Sequence, residues 1–589
     1  MKRLILSILV ALCCFGTASA VPAYRGKITY TQPDGSLIMI RLHGDEFCHW
    51  VTDLSGQLLE KDAEGYYRPA SSSTLQARRA AGEIRRTEAN RRRRSPAKAG
   101  VASGQKHFLV ILVQFSDVEF NASKSEFEAL LNGQGYSVNG ATGSARDFYY
   151  QNSGGYFEPI FDVYGPVTLS NNRAYYGGNS SSAYGSDQRP HYAVSEGCEA
   201  LNSQIDFSQY DNDGDGEVDL VFMYYAGQGE ADGGSTDCIW PHQWELTSGG
   251  INLTLDGKKV NKYACTNEIV SYGELAGKLC GIGTACHEFG HAMGLPDFYD
   301  TDYDDNGEAG GLYDYSLMCS GSYNNEGRTP PYFNIEERIM LGWQQPSIIQ
   351  EYGLSGSYTL TSVSNNVAYK SLTDQENEYF VYECRSKTGW DAYIPEAGLI
   401  VYHVDKSART VSILDYYGNT INKTASSLWS DWGTYNSINE NGDHPCFYVV
   451  PAGAQGNLNY NGSQWAFTGA SGRMSFTGTS WNGVASDIHL SNISYSNNQV
   501  TLYATVPSST LNYNVIANPG NGVYTAGSSF ALSLTESAAQ PVSSVAWFFD
   551  DEPVSGTSVT LTAGTHVVEA HLTLTSGETK ILELNLVAQ

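Results

Sequence analysis

Two histidines four residues apart, His287 and His291, restrict the local structure of this chain more than any other sequence feature. They lie in the segment CHEFGHAMGLPD, and on an α-helix residues four apart project from nearly the same face. Both imidazoles can therefore reach one metal ion. Glu288, beside the first histidine, flanks that ion without binding it and can take a proton from a metal-bound water. The segment predicts a zinc-binding helix that carries its own general base.

The residues after this helix predict a third ligand. Gly294 follows His291 by three positions, and glycine readily takes the positive φ that ends a helix. Pro296 prevents the helix from resuming, so the chain can turn Asp297 back toward the ion. Two histidines, one aspartate and an open position for water form the ligand pattern of a catalytic rather than a structural zinc.

The same residues resemble a known family. HEFGHAMGLPDFYD is similar to the active-site signature of the immune inhibitor A family of secreted, metzincin-like zinc metallopeptidases. The segments DNDGDGEVDLVFMYYAGQGEA, YSLMCSGSYN and GWDAYIPEAGLIVYHVD are similar to family blocks in the same order, and so is the leader QPDGS…GDEF. The resemblance covers roughly residues 21–505 and leaves the last domain outside.

This resemblance implies roles for further residues. Many metzincins have histidine where this chain has Asp297, but the family implied here uses aspartate. Met318 is implied to lie in a tight turn under the metal, packed against the ligand histidines. Some metzincins place a transition-state tyrosine two residues after this methionine, where this chain has Ser320. Tyr323 and Tyr299 therefore remain the open candidates for that role.

The predicted function is that of a zinc-dependent endopeptidase, with protein or peptide substrates and Glu288 as general base. Two alternatives stay open. A zinc amidase would use the same water, because the motif determines the chemistry and not the substrate. An exported adhesion or glycan-binding protein could keep a vestigial zinc domain, but the intact ligands and intact Glu288 weigh against that.

The order of apolar runs predicts several domains. Residues 1–20 read as a signal peptide and residues 21–100 as a pro-segment with an Arg-rich linker that a trypsin-like enzyme would cut. Residues 101–345 predict an α/β catalytic domain with a mixed sheet and the active-site helix, metzincin-like by resemblance. Residues 346–506 read as β-rich, and residues 507–589 as an immunoglobulin-like sandwich.

Charge and hydropathy predict an exported protein without nucleic-acid partners. The net charge is −28, and the basic residues are concentrated before residue 101, so the body of the chain repels phosphate backbones. No apolar run after the signal peptide is long enough to cross a membrane. We expect a secreted chain, extracellular or periplasmic. Its cysteines allow disulfides, but the pairing cannot be read from the sequence.

A second metal site is predicted in YDNDGDGEVD. Asp211, Asp213 and Asp215 take positions 1, 3 and 5 of a calcium-type loop, and Asp219 takes position 9. Position 12 is Phe222 instead of the bidentate glutamate of an EF-hand, so a solvated acidic turn stays as the alternative. Another acidic loop, over residues 300–308, could hold a further calcium ion.

The pro-segment offers two candidates for latency. Cys48 and Asp45 lie in the leader sequence GDEFCHW, and either a thiolate or a carboxylate could occupy the open position of a zinc ion. The alternative is that both are ordinary hairpin residues.

Overall fold

The structure is a computed structural model of the 589-residue chain. It describes residues 21–46, 48–73, 75–76, 102–179, 187–301, 309–344, 346–349, 355–414, 420–506, 514–515, 523–535, 542–550, 552–575, 577 and 579–588. The predicted signal peptide, the Arg-rich linker and most of the second acidic loop lie outside these residues.

The leader forms a five-stranded antiparallel meander in which each strand pairs with the next. Aspartates form the turns, as Asp53 shows by accepting hydrogen bonds from the backbone of Ser55 and Gln57. The strands are β1 Lys27–Thr31, β2 Leu37–Gly44, β3 His49–Asp53, β4 Leu58–Lys61 and β5 Tyr67–Pro69.

A mixed sheet organises the following region. Its strands run in the order β7-β6-β8-β12-β9, where β6, β7, β8 and β12 are parallel and the edge strand β9 is antiparallel to β12. These strands are β6 Gly104–Gln114, β7 Phe157–Thr168, β8 Val221–Gln228, β9 His242–Glu245 and β12 Lys262–Ile269, with a small hairpin of β10 Leu253–Leu255 and β11 Lys258–Val260. β6 and β8 are buried on both faces, which explains their unbroken apolar sequences.

Five helices accompany this sheet: α1 Lys124–Asn132, α2 Ala145–Asn152, α3 Arg173–Gly177, α4 Pro190–Leu201 and α5 Gly283–Met293. Capping boxes at Ser123 and Ser144 start α1 and α2. The aromatic ring of Phe289 anchors α5, because it packs edge-to-face on Phe108 at 4.8 Å and on Tyr149 at 5.0 Å. This core holds the motif helix against the sheet.

Two sheets form the region after residue 345. One has the order β13-β15-β16-β17-β20 and the other β14-β23-β22-β21, and Phe380, Val401 and Leu490 contribute to their shared core. The strands are β13 Ser347–Ile348, β14 Gly356–Thr361, β15 Ala368–Leu372, β16 Glu378–Arg385, β17 Gly398–Asp405, β20 Phe447–Val450, β21 Phe476–Thr479, β22 Ala485–Ser496 and β23 Gln499–Thr505. The short helix α6 Ile335–Met340 lies just before this region. Two short helices, α7 Ala425–Ser430 and α8 Trp432–Tyr435, and a hairpin of β18 Thr410–Leu414 and β19 Thr420–Thr424 complete it.

A buried arginine ties this β-rich region to the preceding one. Arg385, fully buried on β16, donates a hydrogen bond to Asp391 at 2.7 Å and another to the carbonyl oxygen of Tyr332 at 2.9 Å. A fixed guanidinium can satisfy several acceptors at once, and here they come from both regions. The two regions therefore share a packed interface.

The last region is all β. Its main sheet runs β25-β32-β31-β28-β29, beside the pairs β24-β27 and β26-β30, over a separate core that includes Phe530, Leu561 and Leu572. The strands are β24 Asn514–Val515, β25 Val523–Tyr524, β26 Ser529–Ala531, β27 Leu534–Thr535, β28 Val542–Phe549, β29 Glu552–Val554, β30 Ser558–Thr560, β31 Gly564–Leu574 and β32 Thr579–Ala588.

The predicted fold class is confirmed at a coarse level. The chain is a mixed α/β, multidomain protein with several sheets, few helices and β-rich C-terminal regions. Among the described residues, no helix combines the length and apolar character needed to cross a bilayer. The nine cysteines of the same residues are all free thiols.

Candidate metal centre

The motif helix ends where the sequence predicts. Gly294 has φ 108°, a left-handed conformation that L-residues with a side chain rarely adopt. The backbone N–H of Leu295 donates to the carbonyl oxygen of Gly290 at 3.0 Å, which satisfies an otherwise unpaired carbonyl at the helix end. This turn reverses the chain and brings Asp297 to the two histidines.

Three side chains converge below the helix. The Nε2 atoms of His287 and His291 lie 3.0 Å apart. Oδ1 of Asp297 is 3.2 Å from the Nε2 of His287 and 3.4 Å from that of His291. All three residues are buried, and they form one of the groups in the described chain that could hold a metal ion. The structure thus brings together the three predicted zinc ligands.

The hydrogen bonds around the histidines leave their Nε2 lone pairs available. Nδ1 of His287 lies 2.8 Å from the carbonyl oxygen of Leu317, and Nδ1 of His291 lies 2.8 Å from that of Leu295. A carbonyl oxygen can only accept, so each Nδ1 carries a proton and Nε2 is the ring nitrogen that remains to bind a metal. The backbone therefore sets the tautomer that metal binding requires.

The donor set fits a cation. Oδ1 of Asp297 is buried and receives no hydrogen bond, although a buried carboxylate oxygen without a partner is costly. Burial raises the pKa of Asp297, but the two imidazoles outweigh burial and hold that pKa below its ordinary value. Once Nε2 of each ring is unprotonated, two nitrogen lone pairs and one carboxylate oxygen face one another, and a divalent metal ion would satisfy all three.

A distant amide orients the aspartate. Asn436 donates from Nδ2 to Oδ2 of Asp297 at 2.6 Å, and its Oδ1 accepts the backbone N–H of Asp297 at 2.9 Å. This pair of bonds fixes the carboxylate so that Oδ1 faces the histidines. The residues are 139 positions apart, and no local pattern in the sequence pointed to Asn436.

Met318 lies under the helix. It is fully buried, and a Cβ atom added to Gly290 would come within 2.8 Å of its sulfur. The preceding carbonyl, that of Leu317, is the one that receives the His287 hydrogen bond. Glycine at position 290 therefore allows close contact between the helix and this turn.

The beginning of the described chain contacts the predicted general base. The backbone nitrogen of Val21 donates to Oε1 of Glu288 at 2.9 Å. The indole nitrogen of Trp240 donates to the carbonyl oxygen of Val21 at 3.1 Å, and the hydroxyl of Tyr323 donates to that of Pro22 at 2.7 Å. Sequence reasoning missed this contact, although the predicted signal-peptide cut after Ala20 would make Val21 the first residue.

The two latency candidates lie elsewhere in the leader. Asp45 and Cys48 form one turn after β2, where the backbone N–H of Cys48 donates to Oδ1 of Asp45 at 3.0 Å. Both are buried, and neither belongs to the possible metal-binding groups of the described chain. The leader residue that the structure places on Glu288 is Val21 instead.

The predicted calcium loop also forms a cluster. Asp211, Asp213 and Asp215 could hold a metal ion together, and Gly216, with φ 94°, supplies the sharp turn. Oδ2 of Asp219 accepts two hydrogen bonds from Asn212 beside the loop. Lys258 places its ammonium 2.6 Å from Oδ2 of Asp211, so part of the negative charge is already neutralised.

Comparison with known proteins relates this region to a family. Residues 98–338 match the family model described as the immune inhibitor A peptidase M6 catalytic domain. The chain is 26% identical over 285 residues to Immune inhibitor A of Bacillus thuringiensis subsp. alesti, a stretch that covers 41% of each protein. It is 28% identical over 294 residues to the Pre-pro-metalloprotease PrtV of Vibrio cholerae serotype O1 strain M66-2, which covers 41% of this chain and 30% of that protein.

These matches confirm the predicted family and the predicted metalloendopeptidase class for the catalytic region. The chain covers less than half of either relative. A solved structure of catalytically inactive OgpA from Akkermansia muciniphila, in complex with an O-glycopeptide, aligns over 84% of this chain and 99% of that chain. Its identity of 11% and TM-score of 0.23 are too low to support an argument.

Asn436→Gly should weaken metal binding about 10- to 100-fold, the usual effect of removing a residue that orients a ligand. Glycine accepts the φ of 49° that Asn436 adopts, so the backbone can stay in place while Asp297 loses both amide contacts. Competition with a chromophoric zinc chelator measures the affinity. Asn482→Gly, an exposed amide in the β-rich region, is the control. Equal affinity of Asn436→Gly and wild type would contradict the positioning role.

Proposed function

We propose that this chain, whose residues 98–338 match the peptidase M6 catalytic domain, is a secreted zinc-dependent endopeptidase that is made in a latent form. The observation that carries the proposal is the convergence of the Nε2 atoms of two imidazoles and one buried carboxylate oxygen beside Glu288. The family match supports a metal and protein substrates. Zinc is the metal that best suits two histidines and one carboxylate in a catalytic site.

The chemistry divides between the ion and Glu288. His287, His291 and Asp297 would hold the ion, which when bound supplies a Lewis acid that acidifies a water and polarises a carbonyl group. Glu288 lies one residue after the first ligand, within the same buried pocket. Its carboxylate accepts the proton of the attacking water and later returns it to the nitrogen of the leaving amine. The hydrogen bond from a peptide nitrogen to Glu288 supports this second role.

A metzincin-like arrangement is part of the proposal. Three features support it: an antiparallel edge strand β9 on an otherwise parallel sheet, a ligand helix that ends at a left-handed glycine, and a buried methionine beneath the ligands. Substrate would then lie along the edge strand, in the cleft between β9 and the helix. Gly294 and Met318 act as structural residues in this arrangement.

The two alternative functions predict different properties of this centre. An adhesion or glycan-binding protein has no use for the hydrogen bonds that keep both histidines in a metal-binding tautomer. A zinc amidase would share the whole centre, and only its substrate would differ.

Latency follows from the position of the leader. With the predicted cut after Ala20, the nitrogen of Val21 becomes an α-amino group, and its positive charge would strengthen the contact with Glu288. The segment fills the place that a substrate needs. We therefore propose that removal of the pro-segment at the Arg-rich linker activates the enzyme, and that the leader blocks the site through the contact of Val21 with Glu288. This differs from the role predicted for Cys48 and Asp45, which is to bind the open position of the metal.

A structural calcium ion at Asp211, Asp213 and Asp215, with Asp219 nearby, is a further part of the proposal. Burial and the neighbouring aspartates raise the pKa of Asp219 even though Asn212 opposes this by hydrogen bonding. A cation among these carboxylates would relieve the repulsion that Lys258 only partly neutralises.

Glu288→Gln should retain the metal and reduce casein hydrolysis by about 10²–10⁴-fold, because the amide keeps the shape of the side chain and cannot accept the proton. Metal content by elemental analysis and release of casein fragments are measured on the same sample. Glu199→Gln, an exposed glutamate on α4, is the control. Hydrolysis that survives both the substitution and a zinc chelator would contradict the assignment, and metal binding without any hydrolysis by wild type would favour the adhesion protein.

Cutting the chain within the Arg-rich linker, residues 78–94, should raise casein hydrolysis at least about tenfold, because a leader that is no longer covalently tethered loses its high effective concentration and can dissociate from Glu288. Limited trypsin treatment provides the cut, followed by an activity assay. A variant in which every basic residue of this stretch (Arg78, Arg79, Arg85, Arg86 and Arg91 to Arg94), and Lys98 just after it, is replaced by glutamine should remain latent under the same treatment. Full activity of the uncut chain would contradict latency.

Removing calcium with a selective chelator, in the presence of added zinc, should lower the melting temperature by several degrees, since binding stabilises the folded state by about 2.7 kcal/mol at a hundredfold excess over Kd. Thermal unfolding measures the shift. The double variant Asp213→Asn, Asp215→Asn should be insensitive to the chelator. If the chelator left the melting temperature of the wild type unchanged, the calcium proposal would be contradicted.

A further inference from the structure

The leader residues 21–24 form a strip whose polar backbone atoms are hydrogen-bonded largely by residues of the region that holds the metal centre. The carbonyl oxygens of Val21 and Pro22 accept from Trp240 and Tyr323, and the backbone N–H of Tyr24 donates to the carbonyl oxygen of Ala231 at 3.0 Å. Only the N–H of Ala23 bonds within the leader, to Gly44 at 2.7 Å. The cleft thus recognises a peptide backbone over four residues.

The direction of this strip follows from the contact with Glu288. When a peptide bond is hydrolysed, the carbon–nitrogen bond breaks and the nitrogen of the following residue receives a proton. The nitrogen of Val21 is the atom that Glu288 contacts. Val21 therefore occupies the place of the first residue after the cut bond, and Pro22, Ala23 and Tyr24 occupy the next three.

We propose that residues 21–24 mark the leaving-group side of the substrate site, and that this side selects a small apolar residue first and an aromatic residue fourth. Trp240 and Tyr323 are the positioning residues that hold the first two carbonyls. This inference rests on the proposed peptidase function, and it concerns which bonds are cut.

The first position is a closed apolar pocket. Val21 is completely buried and packs with Ala231 and Trp240. The indole of Trp240 forms one wall while its N–H binds the Val21 carbonyl, so the same side chain limits the size of the residue and aligns its backbone. A lysine or arginine here would bury a charge within an apolar cluster.

The second position accepts proline. A proline has no N–H to donate, and the recognition of this residue depends on its carbonyl oxygen, which accepts from the hydroxyl of Tyr323 at 2.7 Å. Burial raises the pKa of Tyr323 well above its ordinary value, so its hydroxyl remains a donor. Peptides with proline at this position should therefore still bind.

The fourth position binds an aromatic ring. The ring of Tyr24 stacks on that of Tyr272 with 3.5 Å between the centroids and an interplanar angle of 15°. The ring of Tyr323 meets Tyr24 edge-on at 5.4 Å. Such pairs contribute beyond simple burial. An aliphatic or charged residue would lose the stacking, so the site distinguishes aromatic residues here.

A peptide library digested by the activated enzyme and read by mass spectrometry tests the preference. We expect wild type to cut before valine or residues of similar size and to enrich aromatic residues at the fourth position about 3- to 10-fold. Tyr272→Ala should remove the enrichment at the fourth position and leave the first unchanged. Tyr192→Ala, an exposed tyrosine on α4, is the matched control.

Tyr323→Phe tests the positioning role. It retains the ring and loses one hydrogen bond to a carbonyl, so KM for a peptide that begins Val-Pro-Ala-Tyr after the cut bond should rise about 5- to 10-fold. Trp240→Phe should raise KM similarly and also admit larger residues at the first position. A change that appears only in the melting temperature would overturn the assignment.

A second readout needs no catalysis. In the intact chain without metal, hydrogen exchange at the amide of Tyr24 should be about 5- to 10-fold faster in Tyr323→Phe than in wild type, because the strip is held less tightly. Unchanged exchange would overturn the proposed contact. The two proposals can fail separately. If no library peptide is cut, the proposed peptidase function is wrong, whereas cuts without these preferences contradict only the inference about specificity.

Discussion

The Nε2 atoms of two histidines and one carboxylate oxygen lie close together in the interior of this protein, and the surrounding residues keep them there. Left alone, a carboxylate beside two imidazoles would draw a proton onto one of the rings. The carbonyl oxygens of Leu317 and Leu295 each hold a proton on Nδ1, so Nε2 is the nitrogen of each ring that faces the carboxylate and can bind a metal in place of such a proton. The centre is thus built by backbone groups that carry no sequence signature.

The support for this centre comes from three parts of the fold. The helix supplies the histidines, the left-handed turn at Gly294 supplies Asp297, and the loop before Met318 supplies a proton acceptor and a close packing surface. Asn436, at the end of α8 in the β-rich region, then fixes the carboxylate. The β-rich region therefore contributes directly to the site, and the buried Arg385 at the junction shows how firmly the two regions are joined.

This arrangement explains which features could be predicted from the sequence. His287, Glu288, His291 and Gly294 are set by helical spacing and by a single backbone conformation, both of which are local. The buried strands β6 and β8 could be predicted for the same reason, because unbroken apolar runs mark strands covered on both faces. Asn436 could not, since its partner is 139 residues away. The contact of Val21 with Glu288 joins residues 267 apart and depends on how a whole domain docks.

The orientation of the leader bears on both latency and specificity. A segment that crossed the site like a complete substrate would present a peptide bond at Glu288 and would be cut. With the predicted cut after Ala20, the segment instead begins at the nitrogen that Glu288 contacts, so no bond remains there to hydrolyse. It can then use the contacts of a substrate, through Trp240, Tyr323 and Tyr272, without being one. Under the proposed latency, such an inhibitor must match the leaving-group side of the cleft, and its sequence would then report the preference of the enzyme.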